Sequence, residues 1–193
     1  MTSEERREQR YQRRKAARLK KRQETIGKYD DFERVASLNS LYEAAREASK
    51  GVDWKASVQR YNSLLLFNIS KTRAELLAGK DIRRGFICFD ICEHGKLRHI
   101  KSVHFSERVV QKSFCTNILY PTFTRSLIYD NGASQKGKGT QFALDRLTTH
   151  LRRHFRKYGR EGGILLIDFS DYFGNVAHEP LFKIYRQIFT DPR

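Results

Sequence analysis

Residues Gly163–His178 read GILLIDFSDYFGNVAH. Ile164, Leu165, Leu166 and Ile167 are four consecutive apolar residues after Gly162-Gly163. Such a run predicts a strand buried on both faces. The strand would present Asp168 at its exposed end. A carboxylate there can cap the following turn, or it can hold the hard cations that two-metal phosphoryl transfer uses. Asp171 follows three residues on and Phe173 five, and spacing alone leaves both uses open. Beyond them Pro180 precedes Leu181, Ile184, Tyr185 and Ile188, the pattern of a helix with proline in its first turn.

Upstream, the apolar period is helical. Phe32, Val35, Leu38, Leu41/Tyr42 and Ala45 recur at three and four, and Gly51 predicts the helix end. Asp53 is placed to cap a second helix carrying Trp54, Val58, Tyr61, Leu65 and Ile69 to about Gly79. The period then becomes two. Phe86–Ile91 is β-rich, His94-Gly95 is a turn signal, and Leu97–Val103 predicts the returning strand of a hairpin. Ser106 predicts the start of a helix with Val110, Phe114 and Ile118, closed by Pro121. Residues 130–140 (DNGASQKGKGT) predict a glycine-rich loop. Thr140 is placed to cap a helix whose stripe is Leu144, Leu147, Leu151, Phe155 and Tyr158, ending at Gly159. The class is α+β: helices, a hairpin, more helices and one buried strand.

Charge narrows the partner. The 193 residues carry 38 Lys+Arg against 22 Asp+Glu, a formal net charge of +16. A field of that sign favours a polyanion, nucleic acid first and an anionic membrane surface second. Residues 1–26 hold ten of these cations, from Arg6 to Arg22, with almost no apolar face. They predict a solvated basic tail or a helix that lies along a phosphate backbone. Hydrophobic residues at 39% argue against a disordered chain. Cys88, Cys92 and Cys115 form no C-x-x-C pair, as suits a reducing compartment. With no signal-like or membrane-spanning run, a soluble cytoplasmic protein with no membrane partner is expected.

Two other site patterns are weaker. Gly132–Lys138 matches the first part of a P-loop, but Gly139 stands where the motif needs Ser or Thr, and Thr140 comes one residue late. His150 and His154 lie one helical turn apart, as metal ligands can. Their neighbours Arg146, Arg152, Arg153, Arg156 and Lys157 instead make a basic face suited to phosphate.

Taken in order, three blocks resemble a known family. Gly95-Lys96-Leu97-Arg98, followed by Glu107-Arg108-Val109-Val110-Gln111, resembles the first fingers motif of reverse transcriptases of the bacterial and phage group II intron, retron and diversity-generating types. Ile128-Tyr129-Asp130 with Gln135–Thr140 resembles the second motif, and Leu166–His178 resembles palm motif A. The resemblance spans about residues 35 to 190. It implies an incomplete right-hand polymerase fold, with fingers at 81–160 and the first strand and helix of a palm at 161–193, behind the basic tail or helix at 1–26 and a helical extension at 27–80.

The resemblance also implies roles. Asp168, with the Phe169 carbonyl, would bind Mg2+, or Mn2+ in its place. Lys96, Arg98, Asp171, Tyr172 and Phe173 would bind the incoming deoxynucleoside triphosphate. Phe173 would exclude a 2′-hydroxyl. Lys136, Gly137, Lys138 and Gly139 would approach the RNA template and the DNA or RNA primer. Lysines at 136 and 138 depart from the arginines of many relatives. The family's [Y/F]-x-D-D motif does not occur in the 193 residues and is expected downstream of Arg193, with the thumb. The chain alone is therefore expected not to polymerise unless a second polypeptide supplies the rest of the palm. A non-enzymatic RNA-binding module is the alternative, with a P-loop nucleotide hydrolase behind it.

Overall fold

The computed structural model describes residues 2–189. Among the described residues helix accounts for 62% and the sheet is a single antiparallel hairpin, so the class is α+β. The chain divides into two compact units: residues 2–122 with residue 189, and Phe123–Ile188. The division falls inside the segment 81–160 that the resemblance assigns to fingers.

The first unit opens with α1, Ser3–Tyr29, a single 27-residue helix with no buried residue. Thr2 and Glu5 close a capping box at its start, the Thr2 side chain accepting from the Glu5 amide at 3.2 Å and Glu5 accepting from the Thr2 amide at 2.8 Å. Its basic residues give it no core to join, so local propensity and this cap sustain it.

The periodic segment 32–45 folds as two helices rather than one. These are α2, Glu33–Ala36, and α3, Leu38–Ser49. Ser37 is extended between them and its hydroxyl caps α3 by accepting from the Ser40 amide at 3.1 Å. Val35, Leu41 and Ala45 are buried as the period predicts, whereas Leu38 is exposed. Gly51, at φ 75, follows the end of α3.

The next helix starts later than expected. Asp53 caps nothing and Trp54 stays exposed in a turn, while α4 spans Ala56–Ser63. At Leu64 the chain breaks, and α5 runs Leu65–Leu77. Packed together, α3, α5 and the later helix α6 enclose a core of Leu41, Ala44, Ala45, Ile69 and Val109.

The hairpin matches its expectation. β1, Phe86–Glu93, pairs with β2, Lys96–Val103, from Phe86 opposite Val103 to Glu93 opposite Lys96. His94 and Gly95, both at positive φ, close it as a two-residue turn. Its apolar residues are not covered: Phe86, Ile87, Phe89, Ile91 and Leu97 are all exposed. Cys88 and Cys92 are exposed free thiols.

α6 spans Phe105–Phe114, with His104 rather than Ser106 at its cap position. Pro121 does not close it. The backbone loosens into a π-turn over Cys115–Leu119 and continues through α7, Tyr120–Phe123. The wider turn upstream takes up a proline that a regular helix interior would not.

In the second unit α8 spans Thr140–Tyr158, with Gly139 and not Thr140 at the cap position, and Gly159 at φ 66 ends it. Its stripe of Leu144, Leu147, Leu151, Phe155 and Tyr158 is exposed. α9 spans His178–Ile188, with Pro180 in its first turn.

The expected buried strand is the main correction. Ile164, Leu165, Leu166 and Ile167 lie in no strand and are exposed, Leu166 by 91%. A strand buried on both faces needs flanking strands for its N–H and C=O groups and helices for its faces. Among the described residues the only strands are β1 and β2, which already pair with each other.

Candidate functional site

The residues singled out by sequence fall in both units, and each group is described within its own. At the hairpin tip, Lys96 and Arg98 alternate onto the face shared by Glu93 and Ile91, because residues opposite one another in a ladder point the same way. Arg98 Nε lies 3.4 Å from Glu93 Oε2. On the other face His99 Nδ1 meets Asp90 Oδ1 at 2.6 Å. The tip thus presents two cations on one face, with a carboxylate beside one of them, on a turn clear of the core.

The root of the hairpin is tied to α6. Glu107 is buried and accepts the Arg84 backbone N–H at 2.7 Å. Arg108 Nη2 donates to Ser102 Oγ at 3.2 Å. The Glu-Arg pair that reads as part of a motif therefore sets the angle at which the hairpin leaves the helices.

In the second unit the glycine-rich loop folds back on the start of α8. Lys138 donates from Nζ to the Tyr129 carbonyl at 2.6 Å, and the same ammonium lies 4.9 Å from the Tyr129 and Phe142 ring centroids. Gly137 is at φ 73, which favours glycine. A Cβ on Gly132 would come 3.2 Å from that of Ala143. Asp130 accepts from Arg146 Nε at 2.5 Å and meets His150 Nε2 at 2.6 Å. The Arg146 hydrogen bond first, and His150 second, hold the Asp130 carboxyl below its ordinary pKa. His154 Nε2 lies 2.6 Å from the Glu161 carbonyl. The two histidines thus contact protein partners rather than each other. No strand leads into Gly132, as a P-loop requires, and Lys138 turns back to the segment before the loop.

Asp168 lies on exposed backbone before a turn at Ser170–Asn175. The Asn175 amide donates to the carbonyls of Asp171 (3.1 Å) and Tyr172 (3.2 Å), and Asp171 takes φ 43. Phe169, Tyr172 and Phe173 form a chain of ring contacts at 6.1 and 5.3 Å, and Phe173 is 89% exposed. Among the described residues no three of His, Cys, Asp and Glu come together as cation ligands. One exposed carboxylate does not meet the ligand count of a hard cation. The residues present do not by themselves fit a magnesium pair.

Two features escaped the sequence reading. One is the Asp130–Arg146–His150 cluster, whose members stand 16 and 20 residues apart. The other is a cavity in the first unit lined by Arg60, Lys71 and Arg84 together with Tyr61, Phe67 and Phe105. These six follow no motif spacing and come together only by helix packing.

No family model matches the sequence. No curated protein matches it either.

Proposed function

We propose that the chain is the fingers portion, with the beginning of the palm, of an RNA-directed DNA polymerase of the bacterial reverse transcriptase type. The observation that carries this reading is the order of the three motif blocks. Gly95-Lys96-x-Arg98 lies at a hairpin turn, Glu107-Arg108-x-x-Gln111 opens the next helix, and a lysine-glycine loop precedes the segment of Asp168. In this reading Lys96 and Arg98 receive the triphosphate of a deoxynucleotide, Lys136 to Gly139 approach template and primer, and Asp168 contributes one carboxylate to a magnesium site. Guanidinium and ammonium groups suit that work, because phosphoryl transfer is catalysed mainly by positioning and by cations against developing charge. The rest of the palm, with its paired aspartates, would come from further polypeptide, so the 193 residues alone do not extend a primer.

A direct test is binding of the purified chain to an RNA template annealed to a DNA primer, alongside primer extension with magnesium and deoxynucleotides. The expected result is salt-sensitive binding, weakened by Arg98→Ala, with no extension. Extension by these 193 residues would overturn the account of the missing carboxylates. Indifference of binding to Arg98 and Lys138 would overturn the polymerase reading. ATP hydrolysis abolished by Lys138→Ala would replace it with a nucleotide hydrolase.

A second reading, a non-enzymatic RNA-binding module, is favoured by α1. Arg7, Arg10, Arg14 and Arg18 recur along one side of it beside Tyr11, and none of its residues is needed by a core. Loss of RNA binding on deletion of α1, with no dependence on Arg98 or Lys138, would decide for this module.

A further inference from the structure

Between α4, α5 and the root of the hairpin lies an open cavity of about 450 Å³, a volume within the range of small-ligand sites. Arg60 from α4, Lys71 from α5 and Arg84 from the segment before β1 line it, and no aspartate or glutamate does. The charge is only lightly offset. Lys71 has Glu75 at 4.0 Å, one turn along its own helix. Arg60 donates its Nε to the Ala56 carbonyl at 3.3 Å. Arg84 is anchored through its backbone N–H to Glu107 at 2.7 Å, while its guanidinium enters no ion pair among the described residues.

Tyr61, Phe67 and Phe105 line the same cavity. Tyr61 and Phe105 meet edge to face at 5.1 Å and pack on the core. Tyr61 buries its hydroxyl beside Thr72 without a hydrogen bond of ordinary geometry. Burial pushes its pKa up, against the pull of Thr72 and of the nearby Arg84 charge. Phe67 belongs to the same wall but is 65% exposed. A large ring left in solvent beside three cations suits a ligand with a flat π face and a multiply charged anion.

We propose that this cavity binds a phosphorylated nucleoside, its phosphate among Arg60, Lys71 and Arg84 and its base against Phe67. The site shares no residue with Lys96, Arg98, Lys136 to Gly139 or Asp168, and it stands whether or not the chain belongs to a polymerase. A free mononucleotide and one residue of a single strand offer the same chemistry.

The test uses the whole chain. Calorimetric titrations with 5′-AMP, inorganic phosphate and adenosine run beside fluorescence anisotropy with a short labelled oligoadenylate RNA. Arg84→Gln, Lys71→Gln and Phe67→Ala alter side chains outside the core, and circular dichroism checks that each variant is folded. Saturable binding of 5′-AMP, or of the oligomer, is expected to weaken about tenfold in Arg84→Gln and Lys71→Gln, the loss of one charge-assisted hydrogen bond. Phe67→Ala is expected to weaken both nucleotide ligands about tenfold and leave inorganic phosphate unchanged. Mononucleotide binding at least as tight as that of the oligomer identifies a free nucleotide. Oligomer binding that these variants weaken, with 5′-AMP too weak to saturate, identifies a residue of a strand. Phosphate binding as tightly as 5′-AMP, or nucleotide binding indifferent to all three substitutions in folded variants, would overturn the proposal.

Discussion

The Asp130 carboxylate and the Arg146 guanidinium, 16 residues apart, meet at 2.5 Å from Oδ1 to Nε. With His150 on the second oxygen, this contact ties the first residue of the glycine-rich loop to the middle of α8. Both loop lysines lie inside the segment it closes, so part of the order of the loop depends on Asp130.

That dependence gives a pH response of definite sign. The folded pKa of Asp130 is depressed, so its contribution is present above the ordinary aspartate range and is lost as pH falls through the lowered value. Protection of amides 131–139, taken relative to their intrinsic exchange at each pH, is expected to fall on acidification through that window. In Asp130→Asn that protection is expected to be low already at neutral pH, with little further acid dependence from this contact.

The core of the first unit gives a stability prediction. Leu41 is fully buried against Ala44, Ala45, Ile69 and Val109. Leu41→Ala is expected to cost about 2–5 kcal/mol through lost burial and a residual cavity. Chemical denaturation of the first unit measures it. Leu38→Ala, on an exposed position of the same helix, serves as the near-neutral control.

Ser113 tests a polar contact across the chain. It is fully buried and its Oγ donates to the Val35 carbonyl at 2.8 Å, linking α6 to α2. Ser113→Ala leaves that carbonyl without its donor and is expected to cost about 1–3 kcal/mol. The same denaturation experiment reads it, and a neutral result would show that the carbonyl finds water instead.

Gly162 holds φ 121, and a Cβ there would lie 2.8 Å from His154 Nε2. Gly162→Ala is therefore expected to displace His154 from the Glu161 carbonyl and to fray the last turn of α8. The His154 ring resonances and the exchange of amides 155–159 report it.

Removal of α1 is expected to leave the fold of the first unit intact, because none of its residues is buried. The dependence of RNA affinity on salt concentration is expected to become shallower, since fewer counterions are released. An unchanged slope would show that α1 touches no phosphate.

Some elements were legible because their causes are local. The hairpin follows from β-rich runs on either side of His94-Gly95, and a two-residue turn at positive φ leaves one register available. The stripe on α8 and its glycine stop follow from period and backbone freedom in the same way. The breaks at Ser37 and Leu64 were not legible, because an apolar period survives a break when both halves face one core. The cavity was not legible either, because Arg60, Lys71 and Arg84 share no spacing and meet only through packing.

Ile164–Ile167 show the limit most clearly. Four apolar residues in sequence state a demand for burial on two faces, and that demand is a property of the side chains alone. Whether it is met depends on neighbouring strands and helices, and among the described residues none pairs with this segment. By itself, then, the sequence determined most of the helical and hairpin content, the net positive charge and the order of the motif residues, all of which follow from local period, turn chemistry and summed charge. Only the tertiary structure decided which of those residues have partners. It gave Asp130 to Arg146 and Glu107 to Arg84, gathered three cations into one cavity and left the Asp168 segment exposed, because contacts between distant residues arise from packing rather than from spacing.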